Sequence, residues 1–127
     1  MRKSGFHILR VGIAITFLWI GVLILKDPAG WSGYIQPWAA NLIPVPLIEV
    51  MIVTAFFDIA VGVLLLIDMF TWIASLAALF HIATVLIVSG INQVTIRDVG
   101  LFAASLALFA DTVPSNLIPK FLKPKVS

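Results

Sequence analysis

The chain has 127 residues, 61% of them hydrophobic and 11% charged, with two histidines, no cysteine and a formal net charge of +2. A soluble domain carries roughly 25% charged residues, so this composition describes a single-domain integral membrane protein, and the mean hydropathy of +1.14 agrees. It excludes disulfides, thiol catalysis and iron–sulfur ligation within the chain. The few basic residues cluster near the chain ends, where membrane topology accounts for them without nucleic acid.

A spanning helix needs about 20 mostly apolar residues. The first such run covers about 6–25. Met1-Arg2-Lys3 resembles the basic start of a signal peptide, but Arg10 interrupts the apolar run and no small-residue cleavage site follows it. The segment is expected to be retained. Residues 27–46 form a longer connection carrying Trp31, Tyr34 and Trp38 with Pro37, Pro44 and Pro46. Aromatic residues at that density suit the headgroup level. A short amphipathic piece over about 31–42, lying along the membrane surface, is expected; an irregular loop is the alternative.

The second spanning helix is expected over 47–67, with a tight turn at Asp68-Met69 leading to the third over 70–88. A short polar loop, 89–96, precedes the fourth, expected over 94–113. Its uninterrupted apolar run, 99–110, is short, so a re-entrant segment is the alternative. Arg2, Lys3 and Arg10 flank the first helix, and Lys120, Lys123 and Lys125 follow the fourth, whereas the opposite side has Lys26 and Arg97. The positive-inside rule then puts both termini in the cytoplasm.

Depth follows from the helical rise of about 1.5 Å per residue. Asp58 and His81 both fall near the midplane, with Arg10 about two turns to the cytoplasmic side. Glu49, Arg97 and Asp98 fall near the outer side. Two layers are expected: a central one of Arg10, Asp58 and His81, and an outer one of Glu49, Arg97 and Asp98. Thr54, Asp58 and Gly62 share a stripe with Ala55 and Val61, the small and polar face that packs helices in membranes. Arg10, Ala14, Phe17 and Gly21 share a face of the first helix. Asp98, Ser105 and Thr112 line the fourth. Glu49 stands about 180° round the helix from Asp58.

A central charged residue costs about 2.5–3.5 kcal/mol on insertion scales. Asp58 is therefore either a neutral hydrogen-bonding group or half of an ion pair with Arg10. Three readings of the central group stay open. It fixes register among the helices, it lines a site for a proton, a quinone headgroup or another small polar ligand, or it meets a partner subunit. His81 reads as a core histidine rather than a metal ligand, Glu49 with Arg97 as an interfacial ion pair, and Asp68 and Asp111 as solvated helix ends. No phosphate loop, metalloprotease motif, nucleophile elbow or catalytic triad is present, so the chain is expected not to be an enzyme by itself.

Three segments in order carry a family resemblance. An Arg opens the first helix in ILRVGIAITFLWIGV. An acid and a glycine lie on the second in FFDIAVGVLLLID. An acid opens the last in IRDVGLFAASLAL. Together they resemble the DoxX family of small four-helix membrane proteins. The resemblance implies a prokaryotic plasma-membrane protein linked to membrane redox assemblies, such as the membrane subunit of a thiosulfate:quinone oxidoreductase. It aligns Arg10 with the family's first-helix basic position, Asp58 with its second-helix acid (often Glu) and Asp98 with its fourth-helix acid.

The expected architecture is thus an all-α membrane protein, a four-transmembrane-helix bundle with an interfacial segment between helices 1 and 2. The expected function is a non-catalytic subunit or accessory protein of a quinone-linked redox system. It would hold no intrinsic cofactor or metal; its buried polar site could hold a quinone headgroup or relay a proton, and a redox partner subunit or further copies of itself are the candidate partners. A small oligomeric transporter or channel, and a structural anchor for a soluble partner docked through 120–125, are the alternatives.

Overall fold

The computed structural model describes residues 2–90, 92, 95–114 and 116. Six helices follow in order: α1 Lys3–Lys26, α2 Pro28–Ser32, α3 Pro37–Leu42, α4 Leu47–Leu66, α5 Thr71–Ser89 and α6 Ile96–Thr112. The described residues contain no strand. By length and composition α1, α4 and α5 can each cross a membrane, and the chain is a multi-pass membrane protein. The fourth long helix, α6, has 17 residues, somewhat under the usual spanning length. Lys120, Lys123 and Lys125, which weigh in the expected orientation, lie outside the described residues, as does position 94.

The connection after α1 is two short helices rather than one amphipathic piece. Pro28 and Pro37 each sit in the first turn of a helix, where a fixed φ and a missing N–H cost nothing. The Asp27 carboxylate accepts the Gly30 N–H at 3.1 Å and caps α2. Residues 33–36 break the run, and Gln36 then ties the connection to the end of α5. Its N–H donates to Val88 O at 2.9 Å and its Nε2 to Ser89 O at 3.4 Å. Gly90, at φ 68°, ends α5 beside that side chain, and a Cβ there would collide with Gln36 Nε2.

The α4–α5 turn is as tight as the sequence suggests. It runs through left-handed backbone at Asp68 (φ 56°) and Phe70 (φ 51°). Thr71 Oγ1 donates to the Asp68 carboxylate, so this acid is built into the turn and is not simply a solvated helix end.

The most extensive packing joins α1 to α4, next comes α5 on α6, and thinner contacts of α4 with α5 and α1 with α6 complete a ring. Two glycines set the α1–α4 approach. A Cβ on Gly62 would stand 3.0 Å from Ala14 O and 2.7 Å from Leu18 Cγ; one on Gly21 would stand 2.9 Å from Ala55 O and 2.6 Å from Ile59 Cγ1. The arrangement is reciprocal, with Ala14 and Gly21 of α1 meeting Gly62 and Ala55 of α4 seven residues apart on each antiparallel helix. Lipid tails are as apolar as leucine, so burial alone drives little association in a bilayer, and small residues that permit backbone contact matter more. The expected faces are the buried ones: Arg10, Ala14, Phe17 and Gly21 on α1, and Ala55, Asp58, Val61 and Gly62 on α4.

Overfilling a close-packed contact costs about 1–3 kcal/mol. Gly62→Leu is therefore expected to lower stability by about 2 kcal/mol, read from the unfolding midpoint in mixed micelles. Gly12→Ala, whose added Cβ meets nothing within 4 Å, is expected to leave that midpoint unchanged.

Candidate functional site

Asp58, in the middle of α4, and His81, in the middle of α5, meet. His81 Nε2 lies 3.0 Å from Asp58 Oδ1. Asp58 is 2% exposed, whereas the His81 side chain retains 20% exposure. The carboxylate oxygen that meets the imidazole is fully buried. Phe57, next to the acid, packs against the imidazole, its ring 4.9 Å from that of His81 at 47°. The pair thus forms a polar bridge where α4 and α5 otherwise touch lightly.

Both residues line a cavity of about 380 Å³. Its walls are mostly apolar, with Phe17, Ile20 and Ile24 from α1, Val50 and Met51 from α4, and Val85 and Val88 from α5. Thr54 and Thr84 add hydroxyl groups next to the pair. They sit four residues before Asp58 and three after His81, the spacings that share a helix face. At its other end the cavity is bounded by Trp31 and Tyr34 of the connection and by Arg97 and Asp98 of α6. An apolar enclosure of a few hundred Å³ with a few convergent polar groups is the usual form of a small-molecule site.

Arg10 belongs elsewhere, and its expected pairing with Asp58 is corrected. Its Nη1 donates to Leu65 O at 2.6 Å and to Leu66 O at 2.8 Å. Its Nη2 lies 3.2 Å from His7 Nδ1, and its Nε lies 3.9 Å from the Asp68 carboxylate. The carbonyls that end a helix lack intrahelical partners and carry the negative end of its dipole. Arg10 caps α4 there. Leu65 is seven residues beyond Asp58, about 10 Å along the helix, and buried Val61, Leu65 and Phe17 lie in the apolar core around it.

The outer layer also divides. Asp98 is half-buried and lines the same cavity as Asp58 and His81, close enough that His81 and Asp58 are among its electrostatic neighbours. Arg97 lines the cavity rim. Glu49 is exposed in the first turn of α4 and does not line the cavity, as its place on the opposite face of α4 from Asp58 requires. Sequence reasoning did not single out Phe57 or Thr84 as site residues; their signal was position, adjacent to Asp58 and on the His81 face. Thr95, 3% exposed, closes the α5–α6 loop. It exchanges hydrogen bonds of 3.0 Å with Asn92 and donates to Gly90 O. The described residues contain no group of three or more His, Asp or Glu able to hold a metal.

An all-helical membrane protein with an acid–histidine pair at the foot of an apolar cavity is the class that these features define. The DoxX family model matches residues 5–90, and the chain belongs to the DoxX family. The match covers α1 to α5, including Arg10, Asp58 and His81, and stops before α6. Neither the curated proteins nor the solved structures contain a match to this chain.

Hydrogen bonds from a charged donor contribute about 1.5–3 kcal/mol each. Arg10→Met is expected to destabilise the protein by about 3 kcal/mol while leaving the His81 ring ¹⁵N chemical shifts in place. Asp58→Asn is expected to move those shifts. An Arg10→Met variant that moved them equally would show that Arg10 and the pair are one site.

Proposed function

We propose that this DoxX-family protein is a non-catalytic membrane subunit or accessory protein of a quinone-linked redox system in a prokaryotic plasma membrane, and that its cavity receives the quinone headgroup. The observation that carries this reading is the Asp58–His81 pair, 3.0 Å apart, in the lining of an otherwise mostly apolar cavity of about 380 Å³. A quinol hydroxyl suits Asp58 as acceptor. A quinone carbonyl suits the His81 N–H as donor. The bound group would supply the redox chemistry, and the chain's own residues orient it, exclude water and hold a proton at Asp58 or His81.

In this reading α6 is the fourth crossing and both termini face the cytoplasm. The α2–α3 connection lies at the outer interface, where Trp31 and Tyr34 roof the cavity. The redox partner is a separate subunit, and homo-oligomers are compatible with the exposed apolar faces. A transport path draws no support from the distribution of polar groups, because apolar Ile13, Val61 and Leu65 lie between the Asp58–His81 pair and the Arg10–Asp68 end.

Purification from native membranes in mild detergent, with mass spectrometry of bound small molecules and proteins, tests the proposal. Bound quinone and a stoichiometric redox partner are expected from the wild type. Asp58→Asn is expected to lose the quinone, by about ten-fold in occupancy for the 1.4 kcal/mol that one lost hydrogen bond represents, and to remain folded. A wild-type protein that carries neither would overturn the reading.

A further inference from the structure

A second concavity runs along the lipid-facing side of the α1–α6 seam. Ile8, Gly12 and Leu23 of α1 and Gly100 and Ala104 of α6 line it. It follows α1 from residue 8 to 23, about 22 Å at the helical rise. Its width has a specific cause. Gly12 and Gly100 are exposed, and a Cβ on either would meet nothing within 4 Å. Neither glycine serves the close packing that Gly21 and Gly62 serve; here the missing side chains leave the groove open. The α1–α6 contact is among the thinnest of the ring.

This groove lies next to the cavity. Ile20, Trp31, Arg97, Asp98 and Leu101 line both. The boundary they share is a sill between α1 and α6, with apolar Ile20 and Leu101 and the Arg97–Asp98 dipeptide.

We propose that the α1–α6 groove is the lateral entrance to the cavity and the slot for its ligand's polyprenyl tail. The inference rests on the quinone reading and adds to it how the ligand arrives and which class it is: a headgroup carrying a long apolar tail rather than a free ring. The ligand enters from the bilayer, its headgroup reaches the Asp58–His81 pair over the sill, and its tail stays between the two helices. Groove walls and lipid tails are equally apolar, so the tail gains little affinity by entering. The groove acts by steric fit, and filling it should exclude the tail.

The test uses full-length protein in detergent and two probes, a benzoquinone with a ten-carbon tail and the same ring without one, titrated by quenching of tryptophan fluorescence. Gly12→Phe and Gly100→Phe plug the groove from opposite walls, and the corresponding Ala variants control for loss of glycine. Each Phe variant is expected to weaken binding of the tailed quinone by about ten-fold, equivalent to 1.4 kcal/mol, and to leave the tailless ring unchanged. The proposal is overturned if the tailed quinone is unaffected, or if both probes weaken equally. It is also overturned if a phospholipid copurifies with the wild type and is lost from the Phe variants while quinone binding persists, since the groove then belongs to lipid. Wild-type protein that binds neither probe refutes the quinone reading itself, whereas binding of both probes that is indifferent to the plugs refutes only the lateral slot.

Discussion

The approach of α1 to α4 is the constraint on which the rest of the structure depends. Inside a bilayer the hydrophobic effect does not press helices together, and association relies on dispersion contact and on satisfied polar groups. Gly21 and Gly62 let each helix lie against backbone carbonyls of the other, at Ala55 and Ala14. That register has a direct electrostatic consequence. It brings Arg10 beside the last turn of α4, where its guanidinium reaches the carbonyls of Leu65 and Leu66. An arginine that would be costly on an isolated helix becomes the cap that α4 needs. The same contact turns Asp58 inward, away from lipid.

The ionisable groups then fall into separate stations along the axis. Arg10 and Asp68 close the α4–α5 end. Asp58 and His81 occupy the middle. Arg97 and Asp98 stand at the start of α6. Each station is held differently. The first consists of hydrogen bonds to backbone around a tight turn. The second is a side-chain pair braced by the Phe57 ring. Between them lie Ile13, Val61 and Leu65 of the apolar core. The second and third stations are joined by the cavity, which Asp98 lines with Asp58 and His81 and which Glu49 does not reach.

Thin packing is also where the openings are. The α1–α4 and α5–α6 contacts are close, with Ser75, Ala78, Ser105 and Leu108 fully buried in the latter pair. The α4–α5 and α1–α6 contacts are looser. One loose seam holds the acid–histidine pair and the other holds the groove. The two tight pairs form a frame, and the acid–histidine pair and the groove lie in the seams between them.

Much of this was legible in the residues alone. Hydropathy located the three long apolar helices to within a few residues, because a lipid environment demands long apolar runs whatever they pack against. Four-residue spacing identified the buried stripes of α1 and α4, since only one helical face can carry small and polar groups inward. The rise per residue put Asp58 and His81 at one depth. Tertiary structure alone decided which groups at neighbouring depths meet. Depth fixes one coordinate; azimuth and the reach of a long side chain fix the others, and Arg10 has reach enough for either Asp58 or the end of α4. Its choice depends on helix register, which small residues set through contacts that no single segment contains. The cavity and the groove are likewise properties of seams between helices, and a glycine that permits close approach reads the same in sequence as one that leaves a space open.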